Sequence, residues 1–319
     1  MGKRSTSIVW LLCSLALVLG ACGADETSTG GDRTTATGPA SASFPVTIRT
    51  GNGDVTIDER PERIVSLSPT ATEMLYAIGA GDQVEAVDDQ SNYPEEAPGT
   101  DLSGFEPNVE AIASYEPDLV VYATDPGDLG ASLEALDITT LVLPAAATLD
   151  DVYEQIEHLG LATGHEPEAT EVAQELRAQV ETITTSVAPA ATSLTFYHEL
   201  DDTFYSVTSS TFIGQLYALL GLDNIADEAD DTGGGYPQLS AEYIIDADPD
   251  LIFLADTRCC GQSAETVADR PGWDRIAAVE NGNVIPLDDD IASRWGPRVV
   301  EYLRLIADAV SEVEEADAA

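Results

Sequence analysis

Lysine is almost absent from this chain of 319 residues, since the only one is Lys3. The 13 basic residues stand against 58 acidic ones, which gives a formal net charge of −45. A surface so poor in positive charge excludes nucleic acid as a natural partner, because phosphate binding requires clustered lysine and arginine. Such acidity is typical of a solvated surface that stays soluble in salt.

Long apolar segments are also missing. The run at residues 8–19 follows a short basic region, is too short to span a bilayer and ends at small residues, which predicts a signal peptide at residues 1–21. The letters LGAC that end at Cys22 resemble a bacterial lipobox, in which the cysteine becomes the lipidated first residue. An ordinary signal peptide with an incidental cysteine is the alternative. Residues 22–43 are rich in Gly, Thr, Ser and Ala and predict a flexible tether.

These segments predict a protein held by lipid on Cys22 at the extracytoplasmic face of the cell membrane. Removal of the signal peptide takes away two positive charges, so the mature chain has no lysine and a net charge near −47 instead of −45. Of the four cysteines, only the adjacent Cys259 and Cys260 then remain free. An oxidising compartment favours a disulfide between them. Two reduced cysteines that pack as small hydrophobes are the alternative.

Motifs for catalysis are lacking. The chain has three histidines and contains no HExxH, GxSxG, Walker or dinucleotide-binding motif. The sequence therefore predicts no catalytic residue, no metal site and no cofactor of its own. Two alternatives remain: an enzyme that uses His198 beside Glu199, and a surface redox lipoprotein that uses Cys259 and Cys260.

What the chain does contain is one phrase written twice. Residues 109–123 read VEAIASYEPDLVVYA, and residues 241–255 read AEYIIDADPDLIFLA. In each copy a glutamate, Glu110 or Glu242, precedes Pro-Asp-Leu by seven residues, and an apolar strand follows. The copies are 132 residues apart, which is too far for a solenoid repeat and fits two similar lobes. Asn108 and Ser240 are good N-caps and place each glutamate in the first turn of a helix.

Strands alternate with helices on both sides of a long helical stretch, which predicts an α/β fold with mainly parallel sheets. We expect an N-terminal lobe at residues 44–148, a helical bridge at residues 149–190 and a C-terminal lobe at residues 191–319. The last part of the bridge is predicted to be one long helix that joins the two lobes, with a ligand cleft between them.

Local patterns add detail to this outline. Residues 46–58 alternate apolar and polar on either side of GNGD, as in a β-hairpin. Thr70 and Glu73 have the spacing of a capping box at the start of a helix. Residues 204–207 are predicted to form a strand of the second lobe.

Open α/β sheets bind ligands beyond the carboxyl ends of their strands. Side chains suited to a bulky anionic ligand with planar groups follow such strand ends. These candidates are Tyr93, Tyr236, Arg258, Arg294 and Trp295. Core packing is the alternative for each aromatic residue. Arg298 is expected to pair with acids close to it in the sequence, which leaves Arg294 as the better ligand contact.

Four segments resemble one family. Residues 63–73 read RIVSLSPTATE, the two Glu…Pro-Asp-Leu phrases follow, and residues 284–287 read VIPL. In this order they resemble the substrate-binding proteins for ferric siderophores and vitamin B12. The resemblance covers residues 44–315, and it implies two α/β lobes joined by one helix and delivery of a ligand to an ABC importer.

The resemblance also implies roles for single residues. Glu110 and Glu242 would dock onto arginines of the two permease subunits, and Tyr236 would occupy the position of a ligand-facing tryptophan in the cobalamin-binding member. Residues 258–262 and 288–298 resemble an actinobacterial subgroup of iron-siderophore binders. An iron(III)-siderophore complex is thus the expected ligand, with the iron held by the siderophore. The alternative is cobalamin or haem in the same cleft, and the shortage of basic residues does not favour a strongly anionic catecholate.

Overall fold

The computed structural model describes residues 43–50, 53–187 and 194–317. The predicted signal peptide, Cys22 and most of the predicted tether lie outside these residues, as do residues 188–193. Among the helices of the described segments, none combines the length and the apolar character needed to cross a bilayer.

Two strands at the start of the described chain form the predicted β-hairpin. They are β1 (Val46–Thr50) and β2 (Gly53–Ile57), which pair antiparallel with Val46 opposite Ile57.

The first sheet contains five parallel strands within the described residues, in the order β5-β4-β3-β6-β7. The chain therefore moves outward from β3 in one direction and later returns to add β6 and β7 on its other side. Both β3 and β6 are buried along their whole length, as expected for a parallel sheet covered on both faces. The strands are β3 (Ile64–Leu67), β4 (Val84–Asp88), β5 (Gly99–Leu102), β6 (Leu119–Tyr122) and β7 (Thr139–Val142).

A second sheet has four parallel strands in the described part of the chain, in the order β11-β10-β8-β9. Here β8 is the first strand, with β9 on one side of it and β10 and β11 on the other. The strands are β8 (Thr195–Glu199), β9 (Asp223–Asn224), β10 (Leu251–Leu254) and β11 (Val284–Pro286). The two sheets confirm the predicted α/β class, and each sheet with its helices is called a lobe below.

Eleven α-helices lie in the described residues. They are α1 (Pro69–Ala77), α2 (Val109–Ala113), α3 (Leu129–Glu134), α4 (Leu149–Thr163), α5 (Glu166–Ser186), α6 (Phe212–Ala218), α7 (Ala241–Ala247), α8 (Ala264–Ala268), α9 (Ala277–Glu280), α10 (Asp289–Ser293) and α11 (Val299–Asp317). Short 3-10 turns occupy Gly81–Gln83, Asp227–Ala229 and Trp273–Arg275.

The long helix α5 packs against α4 on one side and α11 on the other. At Gly160 the two helices α4 and α5 approach closely, because a β-carbon there would collide with the β-carbon of Ala169. One buried apolar cluster runs from Ile64 in the first sheet through Leu176 on α5 to Phe253 in the second sheet. The two lobes thus share a continuous core along these helices.

The repeated phrase builds the same unit in each lobe. One copy forms α2 and β6, and the other forms α7 and β10. Each of these strands lies beside the first strand of its sheet, β6 beside β3 and β10 beside β8. Both predicted N-caps are confirmed, since Asn108 accepts from the backbone of Ala111 at 3.0 Å and Ser240 accepts from that of Tyr243 at 3.1 Å.

Two local predictions are wrong. Ser68 rather than Thr70 caps α1, where it accepts a hydrogen bond from the backbone of Ala71, and Glu73 does not close a capping box. Residues 204–207 form no strand; Tyr205 makes only an isolated bridge to Gln238. In both places a contact with a distant part of the chain uses the groups that the local sequence pattern predicted for a capping box or for a strand.

Candidate functional site

A cavity of about 340 Å³ lies where the carboxyl ends of the first sheet face residues 290–295 of the second lobe. Leu67 ends β3, Asp88 ends β4 and Thr124 follows β6 at its wall. The strand order reverses between β3 and β6, because β4 and β5 are added on one side of β3 and β6 and β7 on the other, and open parallel sheets bind ligands at such a point. The other lining residues are Ser68, Pro69, Thr70, Gln90, Gly104, Phe105, Ala123, Asp290, Ser293, Arg294 and Trp295.

A larger cavity of about 490 Å³ lies between α4 and α6. It is lined mainly by apolar side chains such as Tyr153, Phe212 and Leu219, and none of the predicted site residues is among them. Its size alone does not make it the better candidate, because it is away from the strand ends of the first sheet.

An ion cluster joins the two lobes beside the smaller cavity. Glu73 on α1 accepts from Arg294 at 2.8 Å and from Arg298 at 2.6 Å, and its side chain is 1% exposed. Gly296 leaves room for this carboxylate, since a β-carbon there would lie 3.1 Å from Glu73 Oε2. We call Glu73, Arg294 and Arg298 the cross-lobe cluster.

The cross-lobe cluster changes the interpretation of both arginines. Arg298 pairs with an acid 225 positions earlier, so the expected pairing with acids close in sequence is wrong. Arg294 lines the cavity as predicted, but its guanidinium also donates to Asp290 at 2.8 Å and to the Gln90 carbonyl at 2.9 Å. Its donors are therefore used within the protein, and it acts first as a link between the lobes.

Arg258 is paired as well. It lies 2.5 Å from Asp290 and 3.5 Å from Asp288, and it does not line the cavity. Each of the three arginines at this edge, Arg258, Arg294 and Arg298, is thus neutralised by a carboxylate of the described chain. A ligand with strong negative charge would find no unpaired arginine among them.

Aromatic side chains flank the cavity. Phe105 lines it and is 75% exposed, while Trp295 lines it with its indole N–H donating to Gln155 at 3.1 Å. Tyr93 is exposed and lies over the Arg298 guanidinium, 4.3 Å from ring centroid to carbon. Sequence reasoning missed Phe105 because it follows β5, a strand that the sequence did not reveal; the turn residues Ser103 and Gly104 before it were the available signal.

Tyr236 lies on a separate loop of the second lobe and is 53% exposed. The Asp230 carboxylate holds this loop, because it accepts from the backbone of Gly235 at 2.7 Å and of Gly234 at 3.2 Å. These hydrogen bonds, that of Gly235 first, lower the pKa of Asp230, so the carboxylate stays ionised. Tyr236 is not among the residues that line the cavity. A ligand bound in the cavity must therefore extend beyond the cavity to reach the Tyr236 ring.

Cys259 and Cys260 form a disulfide in an exposed loop that follows β10. Asp289 fixes this loop by accepting from the backbone of Arg258 at 3.1 Å and of Cys259 at 2.9 Å. The carbonyl of Asp256 accepts from the backbone of Cys260 at 3.2 Å. The disulfide is therefore held in place at the carboxyl end of a strand, although it does not line the cavity.

Two buried carboxyl groups lie at the equivalent strand ends of the second sheet. Glu199 at the end of β8 is buried and receives two hydrogen bonds of 2.6 Å from Arg270. Asp256, just after β10, is also buried, and neither of its carboxyl oxygens has a partner among the described residues. Burial first, and then the charge of Glu199, raise the pKa of Asp256 to about 7.

Asp256 should make stability depend on pH. Its folded pKa of about 7 lies above the ordinary value of about 3.9. The folded state therefore keeps a proton that the unfolded chain has lost, and stability falls as the pH rises from about 4 to about 7. We expect Asp256→Asn to melt at a higher temperature than wild type at pH 8, with a difference that shrinks toward pH 4.

Scanning calorimetry across this pH range measures that difference. Asp246→Asn, which removes an exposed carboxylate on α7, is the control and should follow the wild type. A difference between Asp256→Asn and wild type that stays constant with pH would show that Asp256 ionises normally.

All three histidines lie in the described residues. Among them His198 is fully buried and lies 2.8 Å from the Tyr217 hydroxyl. Burial lowers the pKa of His198 to about 3, so its imidazole is neutral and has no contact with solvent. In the described segments no three His, Cys, Asp or Glu side chains converge as a metal site would require.

The two candidate docking residues share one setting. Glu110 and Glu242 are both exposed in the first turn of a short helix, α2 and α7. Neither forms an ion pair within the described residues. Both carboxylates are free to meet a positively charged partner.

Comparison with known proteins identifies the family. The periplasmic binding protein family matches residues 64–291, which include most of both sheets and the cavity wall. The chain belongs to the periplasmic binding protein family. It is therefore an extracytoplasmic solute-binding protein of an ABC importer, with a permease as its partner. This family consists of solute-binding transport proteins, not enzymes.

Three relatives place this periplasmic binding protein among others of similar length. An ABC transporter substrate-binding lipoprotein of Bacillus subtilis (strain 168) is 31% identical, over 97% of this chain and 98% of its own. A protein of Halobacterium salinarum named as cobalamin-binding is 31% identical, over 84% and 74%. A structure from Staphylococcus epidermidis, described as a possible iron-binding periplasmic solute-binding protein, is 26% identical with a TM-score of 0.67, over 79% and 99%.

Proposed function

We propose that this protein captures a large metal chelate without strong negative charge and delivers it to the importer. The observation that carries the proposal is the pairing of Arg258, Arg294 and Arg298 with carboxylates at the cavity edge. Anionic ligands are normally held by forks of unpaired arginine, and freeing Arg294 and Arg298 for such a ligand would leave the buried Glu73 without a partner.

A corrinoid such as cobalamin fits these properties best. Its broad flat ring matches a site flanked by the exposed aromatic rings of Phe105 and Tyr93, and it carries neutral amides around its edge. The Halobacterium salinarum relative is named as cobalamin-binding, which supports this choice. The sequence alone favoured a ferric siderophore; the paired arginines move the preference to the corrinoid.

A ferric siderophore of the hydroxamate class is the second candidate. Hydroxamate complexes carry little net charge, so the paired arginines do not oppose them. The resemblance of residues 258–262 and 288–298 to iron-siderophore binders and the similarity to the possible iron-binding protein of Staphylococcus epidermidis favour this ligand. Haem, with two carboxylates, and iron catecholates, with several negative charges, suit the cavity less well.

Two further roles belong to the proposal. Lipid on Cys22 would hold the protein at the membrane, as the name of the Bacillus subtilis relative as a lipoprotein suggests. Glu110 and Glu242, one on each lobe, would dock onto basic side chains of the two permease subunits. Their equivalent places in the repeat give one contact per subunit.

Gel filtration with detection of visible absorbance tests the proposed function. The purified protein, mixed with excess cyanocobalamin, should elute as a coloured 1:1 complex. The same experiment with a ferric trihydroxamate tests the second candidate. Failure of both coloured ligands to elute with the protein would contradict the proposal.

Tyr236 supplies a prediction about ligand affinity. We expect Tyr236→Ala to weaken binding at least about tenfold, or roughly 1.4 kcal/mol, because a half-exposed ring on a fixed loop offers area to a flat ligand. Tyr236→Phe keeps the ring and should bind within about twofold of wild type. Titration of intrinsic fluorescence gives both values, and equal affinity of Tyr236→Ala and wild type would remove Tyr236 from the site.

A further inference from the structure

Asp88 is a polar group of the cavity wall that the fold leaves incompletely satisfied. It ends β4, lines the cavity and is only 2% exposed. Its Oδ1 atom has no hydrogen-bond partner among the described residues. A buried carboxyl oxygen without a donor is unfavourable, so the folded chain without ligand bears a cost at this residue.

Neighbouring groups explain why Asp88 stays in this position. The backbone of Gly104 packs closely against the Asp88 carboxylate, because a β-carbon at Gly104 would lie 3.0 Å from Asp88 Oδ2. Burial first, and also the charge of Asp89, raise the pKa of Asp88 above its usual value, although hydrogen bonding from Ser91 and the charge of Arg294 reduce the shift. The carboxyl is thus held between β4 and the loop that follows β5, at the side of the cavity.

Asp256 offers a useful contrast. It too is buried with unpartnered oxygens, but it lies beside Glu199 and lines none of the cavities described above. A proton retained by Asp256 can form a hydrogen bond to Glu199, so the missing hydrogen bond of Asp256 is supplied within the protein. Asp88 instead belongs to the wall of a cavity that a ligand can fill, so a hydrogen-bond donor of the ligand is the group that can supply the missing partner.

From this geometry we propose that Asp88 accepts a hydrogen bond from an N–H donor of the bound ligand, such as a peripheral amide of a corrinoid. The inference rests on the proposed function, since it places the ligand in this cavity. It adds a selection rule: the cavity favours chelates that carry N–H donors at their edge over those that carry carboxylates there.

The rule predicts opposite effects on affinity and stability. Asp88→Asn keeps the shape but exchanges one carboxylate oxygen for an NH2 donor and removes the charge from the remaining acceptor oxygen, so binding of cyanocobalamin should weaken at least about tenfold. The melting temperature without ligand should stay equal or rise, because a buried charge is removed. If Asp88 only supported the fold, Asp88→Asn would instead lower the melting temperature and the ligand affinity together.

Calorimetric titration and thermal melting of three variants test the inference. Asp89→Asn removes the adjacent exposed carboxylate and should bind like wild type. Asp256→Asn should gain stability at pH 8 without a change in affinity. A second probe, the monocarboxylic acids obtained by hydrolysis of one cyanocobalamin amide, should bind wild type more weakly than cyanocobalamin, and Asp88→Asn should discriminate less.

The outcomes separate the two proposals. Binding of cyanocobalamin by Asp88→Asn within about twofold of wild type would overturn the role of Asp88 and leave the proposed function standing. A lower melting temperature of Asp88→Asn would overturn it as well, whether or not any ligand binds. Absence of binding by wild type to every chelate would contradict the proposed function itself.

Discussion

Replacing Glu110 and Glu242 together by arginine is expected to abolish uptake while ligand affinity stays near that of wild type. Each side chain is exposed in the first turn of its helix and forms no ion pair within the described residues, so the fold does not depend on it. Placing like charges against a basic permease surface costs several kcal/mol, which corresponds to a loss of more than about a hundredfold.

Uptake of radiolabelled ligand by cells that rely on this protein measures the effect, alongside titration of the purified variant. Glu171→Arg with Glu280→Arg makes the same change of charge at exposed sites on α5 and α9 and should leave uptake unchanged. Unimpaired uptake by the Glu110 and Glu242 variant would contradict the docking role. A parallel loss of affinity and uptake would place these residues in the ligand site instead.

The second large effect is expected at Glu73. Glu73→Ala leaves Arg298 partly buried without its carboxylate and leaves Arg294 with Asp290 alone, and breaking a buried pair on one side costs about 3–5 kcal/mol. For a chain of this size the melting temperature should fall by about 10 °C. The lobes should also lose their fixed spacing, because the cluster is a direct polar link between them beside the cavity.

Thermal melting and small-angle X-ray scattering measure these two consequences. The control is Glu116→Ala, which breaks an exposed pair with Arg63 at 3.1 Å and should cost no more than about 1 kcal/mol. Equal melting temperatures of Glu73→Ala and Glu116→Ala would show that the cross-lobe cluster contributes little to stability.

Local patterns in the sequence predicted the fold class and the repeated helix–strand unit. The repeated Glu…Pro-Asp-Leu phrase predicted two equivalent helix–strand units, because capping residues and apolar runs act within a few positions of each other. The fold class, the caps at Asn108 and Ser240 and the hairpin at the start are confirmed for this reason. The same local logic failed at Glu73, where spacing indicated a capping box.

The candidate site depends on contacts that the sequence does not encode locally. Glu73 pairs with Arg294 and Arg298 across more than 220 positions of sequence. The neutralisation of these charges therefore could not be predicted from local sequence patterns. Asp88 carries no sequence signal, because an aspartate at a strand end is ordinary until its burial and its missing partner are known. Sequence reasoning predicted Arg294 and Trp295 as ligand contacts, and both line the cavity; the pairing of Arg294 with Glu73 was not predicted.

The central claim is that paired arginines make this cavity select a chelate without strong negative charge. Isothermal titration of the purified protein with cyanocobalamin, a neutral ferric trihydroxamate and a trianionic ferric triscatecholate tests it most directly. We predict a dissociation constant of about 1 μM or tighter for at least one of the first two, with cyanocobalamin the tighter, and no measurable binding of the third. Tightest binding of the triscatecholate would contradict the account.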